Sequence, residues 1–99
     1  MLKSELSKIY KGKIRQLEHK NQFTIENDYG KLFISYDSAI ALIKPDKTIY
    51  IDSYYWDYSK TTVKHLCIFL NIGWSKKNIQ KGIDSGKYIL TQLNNSKVY

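Results

Sequence analysis

The sequence predicts an α+β fold: an antiparallel β-meander of three to four strands packed against a central amphipathic helix, plus short N-terminal and C-terminal helices. Between residues 22 and 53, apolar residues recur with a period of two and are separated by short turns, which is typical of antiparallel strands. From residue 59 the period becomes helical, and a helix with one apolar stripe needs a sheet to cover it. With 99 residues, we expect one domain, residues 1–99, because so short a chain cannot enclose a second core.

The N-terminal segment predicts a short first helix over residues 3–11. Leu2, Leu6 and Ile9 fall near helical spacing with charged residues between them. Gly12 interrupts this pattern. Residues 13–18 remain open between a continuation of the helix and an edge strand.

The meander begins at Gln22. A turn at residues 27–30 separates two alternating segments and predicts a hairpin over residues 22–36. Asp37 and Ser38 mark a bend or bulge before residues 39–43, which are apolar on both faces and predict the most buried strand. After a turn at residues 44–47, the next strand returns over residues 48–53 with Ile51 inward and Asp52 outward.

The central helix is predicted after the capping candidates Ser59, Thr61 and Thr62. Its apolar stripe consists of Val63, Leu66, Cys67, Leu70 and Trp74, widened by Ile68, Phe69 and Ile72. Gly73 is the expected stop. Ser75 then begins a short basic helix over residues 76–81, residues 88–93 favour a final strand, and Asn94 starts a polar tail.

Charge is distributed unevenly along a chain of net charge +7. Residues 1–20 carry six basic and two acidic groups, residues 21–58 three and six, and residues 59–99 seven and one. A basic balance permits nucleic-acid or acidic-protein partners. Sequence-specific base readout depends largely on arginine, and Arg15 is the single arginine.

The sequence favours a cytoplasmic protein. No apolar run approaches the roughly 18 residues that span a bilayer, and the N-terminus has no signal-peptide core. The single Cys67 cannot form an internal disulfide. We expect no membrane partner.

No catalytic or metal-binding template is present, so we expect neither enzymatic activity nor a cofactor. His65 and Cys67 stand two residues apart, which directs them to different faces of a helix. Two histidines and one cysteine give no zinc spacing. Asp52 and Asp57 match no acid–base pair and are expected to be an exposed strand residue and a loop or capping residue.

Aromatic residues beside lysines, between Tyr54 and Lys64, form the most suggestive cluster. Bases can stack on such a surface while lysines meet phosphates, and aromatic anchors serve protein interfaces equally well. A structural alternative stays open, in which Trp56 and some tyrosines pack beneath the helix. The candidate partner-binding residues are Tyr55, Trp56, Tyr58, Lys60, Lys64, His65, Lys76, Lys77 and Lys81.

Three segments carry a family resemblance: YDSAIALI, TIYIDSYYWDYSKTTVKHLCIFLN and IDSGKYIL. The pattern SYDxxIA followed by WDYSxTTxKHxxxFL resembles a family of small, uncharacterised phage and prophage proteins over residues 22–93. The resemblance implies a mobile-element origin and an accessory role, and it transfers no catalytic residues. It also implies a host factor as target, since small phage accessory proteins often bind host proteins, including defence nucleases such as CRISPR effectors.

Two functional hypotheses follow. The first is a non-catalytic phage accessory protein that binds and blocks a host protein or protein–nucleic-acid complex, as an anti-CRISPR-like counter-defence inhibitor does. The second is a nucleic-acid-binding accessory protein that uses its basic, aromatic-lined surface. The sequence leaves both hypotheses open, together with the oligomeric state.

Overall fold

A computed structural model of the chain describes residues 8–17 and 21–94. Within them lie six strands and two complete helices: β1 Lys13–Gln16, β2 Gln22–Asn27, β3 Gly30–Ser35, β4 Ser38–Ile43, β5 Ile49–Asp52, α1 Lys60–Leu70, α2 Lys76–Asp84 and β6 Tyr88–Thr91. The α+β class is confirmed. The predicted first helix falls mostly outside the described residues, and of its described part Lys8 and Ile9 are helical.

The strands form one sheet in the order β1-β2-β3-β4-β5-β6. Neighbours from β1 to β5 are antiparallel, whereas β6 lies parallel to β5. The sheet is therefore larger than the predicted meander of three to four strands, and it is mixed. Residues 13–16 form an edge strand, which settles the ambiguity of that segment. The parallel β6 requires a long crossover, and residues 53–87 with both helices supply it.

Each face of the sheet has its own core. On one side, Phe33 and Ile51 pack against Leu66 of α1 and Ile79 of α2. On the other side, Leu32 and Leu42 pack with Ile9 and Leu93 from the segments that flank the sheet. Both faces of the sheet are therefore covered, whereas the sequence predicted only the cover formed by the helix.

A bulge in β4 sends two successive residues to the same side. Phe33 pairs with Ala41 and Ile34 with Ala39, which leaves Ile40 as an extra residue. Ile40 and Ala41 both enter the helix-side core, while Ala39 contributes to the other core. These residues are almost wholly inaccessible, so the prediction that residues 39–43 form the most buried strand is confirmed.

Helix α1 starts as predicted and ends earlier. Ser59 is its N-cap, and the Ser59 side chain accepts a hydrogen bond from the Thr62 amide. The left-handed residue that ends the helix is Asn71, with φ of 57°, rather than Gly73. Because the helix stops there, Trp74 leaves the apolar stripe and is 70% exposed. Ile68 is exposed as well, contrary to the broad apolar face that the sequence indicated.

Two polar residues expected at the surface are buried. Asp52 lies at the end of β5 within the protein, and Asn94 lies beside β4. The Asn94 side chain accepts a hydrogen bond from the Ala39 amide and donates one to the Ala39 carbonyl, both at 2.8 Å. The predicted polar tail therefore begins with a residue that is bound to the sheet.

Candidate contact surface

Asp52 organises the loop that carries the aromatic residues. Its Oδ2 accepts hydrogen bonds from the Tyr54 and Tyr55 amides at 3.1 and 2.8 Å. Its Oδ1 accepts one from the Leu93 amide at 2.8 Å. One carboxylate thereby fixes both the exit of β5 and the segment after β6, which positions the following tyrosines on a rigid base.

Four tyrosine rings lie next to one another beside the N-terminus of α1. We call Tyr36, Tyr54, Tyr55 and Tyr58 the tyrosine surface. Ring centroids are 4.7 Å apart for Tyr54 and Tyr55, 6.0 Å for Tyr55 and Tyr58, and 6.3 Å for Tyr36 and Tyr58. Tyr54 and Tyr58 are 76% and 63% exposed, whereas Tyr55 is half-buried. Such edge-on aromatic packing holds the rings in place without hiding them.

Tyr36 joins this surface from the turn between β3 and β4. Ser35 pairs with Ser38, so Tyr36 and Asp37 form a two-residue turn, and both have positive φ (49° and 67°). Type I′ hairpin turns require positive φ at both positions, and asparagine and glycine usually occupy them. The Tyr36 amide donates to the Asn21 carbonyl at 3.0 Å, which holds the turn against β2.

The sequence did not single out Tyr36, because it lies far along the chain from residues 54–58. The SYD motif between two strands carried a signal that could have found it. A two-residue turn there places its first residue at the tip of a hairpin.

Two of the predicted contact residues are buried. Trp56 packs in the helix-side core beneath α1, as the structural alternative had it. His65 is also buried, on the side of α1 that faces the protein interior. Neither side chain is available on the surface, so the aromatic contribution comes from the tyrosines.

The predicted lysines are divided among different environments. Lys60 is exposed and Lys64 half-buried, one helical turn apart at the start of α1. Lys76 is engaged: its Nζ lies 3.3 Å from Asp57 Oδ2 and 5.7 Å from the centre of the Trp56 ring. Lys77 and Lys81 are exposed on α2, also one turn apart. Lys60 and Lys64 thus lie in the first turns of the helix that follows Tyr58.

The charge beside the tyrosine surface is mixed. Asp37 follows Tyr36 in the same turn and Asp57 precedes Tyr58 in the same loop, and both are exposed. Lys60 and Lys64 oppose them in sign. A phosphate backbone is attracted by a continuous positive field, which this patch does not offer.

A serine–threonine cluster under the start of α1 is structural. Thr62 Oγ1 lies 2.8 Å from Ser35 Oγ and 3.0 Å from Ser59 Oγ. Through these contacts the helix start is attached to the end of β3, next to the turn that carries Tyr36. The hydroxyl groups therefore position the surface.

Among residues 8–17 and 21–94, no group of three or more His, Cys, Asp or Glu side chains could hold a metal ion. Cys67 is buried, with its Sγ 3.8 Å from the Ser75 carbonyl oxygen. No helix in that part of the chain is long and apolar enough to cross a membrane.

Comparison with known proteins identifies a family. The model of a family of unknown function (DUF8033) matches residues 5–86. The matched segment includes β1 to β5, both helices and the tyrosine surface, and it ends before β6. No curated protein and no solved structure matches the chain.

Proposed function

Because the chain belongs to a family of unknown function (DUF8033), we propose its role from its own surface: it is a non-catalytic binding protein that contacts a partner protein through the tyrosine surface. The observation that carries this proposal is the cluster of four neighbouring tyrosines, two of them more than 60% exposed. Three lie on the loop that Asp52 fixes, and Tyr36 joins them from the β3–β4 turn. Tyrosine anchors a partner at low entropic cost, because its large ring has few rotatable bonds.

The partner is a host protein, and binding blocks it. This part of the proposal rests on the resemblance to small phage and prophage proteins over residues 22–93. In its most specific form, the target belongs to a host defence system, and the chain acts as an anti-CRISPR-like counter-defence inhibitor. Mixed charge beside the tyrosines supports a protein as the target, since Asp37 would repel phosphates at that place and Asp57 offsets the charge of Lys76.

The test is a paired substitution with a matched control. Tyr54→Ala together with Tyr58→Ala removes the two most exposed rings of the tyrosine surface. Tyr29→Ala removes another exposed ring, 46% accessible, from the β2–β3 turn, at the opposite end of β3 and about 20 Å away. Each protein is immobilised and exposed to nuclease-treated lysate of the host, and the affinity of a recovered partner is then measured by calorimetry.

We expect the double variant to bind the partner at least tenfold more weakly, and Tyr29→Ala to bind it as the original chain does. A partner that is retained equally by all three proteins would contradict the assignment of this surface. Recovery of a partner from untreated lysate but not from nuclease-treated lysate would contradict a protein partner.

A second candidate, nucleic-acid binding, draws support from a different place. Lys77 and Lys81 are exposed and lie one turn apart on α2. The acidic residue nearest to them in sequence is Asp84, the last residue of that helix. Binding of this kind weakens steeply with salt. Lys77→Glu with Lys81→Glu would abolish it, while Lys60→Glu with Lys64→Glu changes the net charge equally and serves as the control.

A further inference from the structure

A groove lies at the β1 edge of the sheet, next to the C-terminal end of α1. It has a volume of about 470 Å³ and is lined by Lys13, Arg15, Glu26, Lys31, Ile68 and Phe69, among others. It shares no residue with the tyrosine surface. Its floor is the helix-facing side of β1 to β3, and the exposed end of α1 forms its wall.

The backbone of β1 leaves hydrogen-bonding groups free at this edge. The Leu17 amide donates to the Gln22 carbonyl at 2.8 Å, and antiparallel pairs alternate between bonded and non-bonded. Arg15 and Lys13 therefore bond to β2, while Ile14 and Gln16 direct their N–H and C=O groups outward. Among the described residues no strand pairs with this side of β1, and all four residues of β1 are exposed.

Cations dominate the side chains next to that edge. Arg15 lies opposite Thr24, which in turn lies opposite Phe33 of the helix-side core, so Arg15 is on the helix-facing side of the sheet. Lys13, two residues earlier and opposite Glu26, is on the same side. Lys31 reaches the same groove, with its Nζ 5.7 Å from the centre of the Phe69 ring. Within the described part of the chain, no carboxylate lies within salt-bridge distance of these three cations.

Apolar side chains flank the cations. Ile14, between Lys13 and Arg15, pairs with Ile25 and faces the opposite side of the sheet, where it is 64% exposed. Ile68 is 56% exposed in the wall of the groove. The exposure of Ile14 and Ile68 does not stabilise the free chain, because an exposed isoleucine does not gain the free energy of burying its side chain.

We propose that β1 binds an extended acidic segment of a partner protein as a seventh strand. Such a strand pairs its backbone with Ile14 and Gln16. Its side chains opposite Lys13 and Arg15 lie in the closer, non-hydrogen-bonded positions and are acidic, and the residue between them is apolar and covers Ile14. The recognised sequence is thus acidic–apolar–acidic, with Lys31 meeting further negative charge in the groove.

The charges select this occupant over a second copy of the chain. If two copies of the chain paired through their β1 edges, Lys13 and Arg15 of one copy would lie beside the same cations of the other. Like charges opposite one another destabilise a sheet. Edge lysines are a common device against such self-pairing. The side chains of an acidic strand would instead be attracted by Lys13 and Arg15.

The experiment uses the full chain and a fluorescein-labelled heptapeptide of alternating valine and glutamate. Binding is measured by fluorescence anisotropy, and amide hydrogen exchange is followed by NMR. We expect the peptide to bind, the same peptide with lysine for glutamate to fail, and the Ile14 and Gln16 amides to become at least tenfold slower in exchange.

The variants distinguish the edge from general electrostatic attraction. Lys13→Glu with Arg15→Glu is expected to weaken peptide binding at least tenfold, while Lys77→Glu with Lys81→Glu makes the same change in net charge and has little effect. The proposal is overturned if both pairs weaken binding equally, if exchange slows elsewhere, or if the chain dimerises through β1. Tight binding of a single-stranded oligonucleotide in this groove, with none of the acidic peptide, would overturn it as well.

Discussion

Tyr36 occupies a backbone conformation that its side chain disfavours. Its φ of 49° lies in the left-handed region, where a bulky residue is uncommon outside strained positions. Strain of this kind is retained where the side chain serves another purpose. The neighbouring ring of Tyr58, 6.3 Å away, indicates that the purpose is the tyrosine surface.

Tyr36→Asn should therefore raise stability and weaken partner binding together. Asparagine tolerates positive φ, so we expect a gain of about 1 kcal/mol in the free energy of unfolding. Lys47→Asn is the matched control, because Lys47 has φ of 75° in the turn after β4. Chemical denaturation should show both variants stabilised, and calorimetry should show weaker binding for Tyr36→Asn alone. Unchanged binding would remove Tyr36 from the surface.

Asp52 is the residue on which the loop before α1 depends. Replacing it with alanine leaves three amides without their acceptor, and each such group in the interior costs about 1–3 kcal/mol. We expect Asp52→Ala to lower the free energy of unfolding by about 3 kcal/mol or more. Asp57→Ala breaks only an exposed ion pair and should cost less than about 1 kcal/mol. Equal effects in urea denaturation would contradict this role of Asp52.

At the scale of elements, Gly82 sets how closely α2 approaches β6. A Cβ at this position would clash with the Tyr88 ring. Burial also raises the pKa of the Tyr88 phenol, so the ring stays neutral over the physiological range. The small residue in α2 thus allows the helix to pack onto the strand.

Gly82→Ala should destabilise the protein although alanine favours helices. The clash costs about 1–3 kcal/mol, and the helical preference returns about 1 kcal/mol. We therefore expect a net loss of up to about 2 kcal/mol in the free energy of unfolding, measured by thermal denaturation. Gly73→Ala, whose nearest contact would be the Asn78 side chain at 3.4 Å, should change stability by less than about 0.5 kcal/mol. A stabilised Gly82→Ala variant would show that the two elements can separate freely.

The turn between β4 and β5 should respond to acid. The Thr48 amide donates to Asp46 Oδ1 at 2.9 Å, and this bond holds the pKa of the Asp46 carboxyl below its usual value. The contribution of the turn to stability is therefore complete above the ordinary aspartate pKa and is lost as pH falls through the lowered one. NMR titration of the Thr48 amide should show this transition, and Asp46→Asn should remove it. A transition at the ordinary aspartate pKa would contradict the contact.

At the scale of the whole molecule, the C-terminal segment joins the two cores. Tyr88 packs with the helices on one side of the sheet, and Leu93 packs with Ile9 on the other. Asn94 adds two hydrogen bonds to Ala39 of β4. Because both cores depend on this segment, they should unfold together.

A chain truncated after residue 87 should lose its cooperative thermal transition. It lacks β6, Leu93 and Asn94, and it leaves the edge of β5 unpaired. Circular dichroism across a temperature ramp would test this, with Leu93→Ala as a full-length comparison that should retain a transition at lower temperature. A truncated chain with a sharp transition would show that residues 88–94 are dispensable for folding.

Local patterns along the chain were enough to predict most of the individual elements. Alternation predicted β2, β3 and β5, the double-sided run at residues 39–43 predicted the buried strand β4, and capping residues predicted where α1 begins, because these signals act between near neighbours. It also indicated that residues 54–58 carry an aromatic cluster. It left residues 13–18 ambiguous, because a short edge strand is defined by its partner more than by its own pattern. It predicted the final strand, which the structure confirms as β6, but not that this strand pairs with β5 in the same sheet.

Packing between distant segments sets which residues share a surface. It buried Trp56, His65, Asp52 and Asn94, exposed Trp74, and brought Tyr36 to Tyr58 across more than twenty residues of chain. Burial of a polar side chain depends on whether distant backbone groups satisfy it, as the amides of Leu93 and Ala39 do here. Such partners come from packing between elements, and no local pattern encodes them.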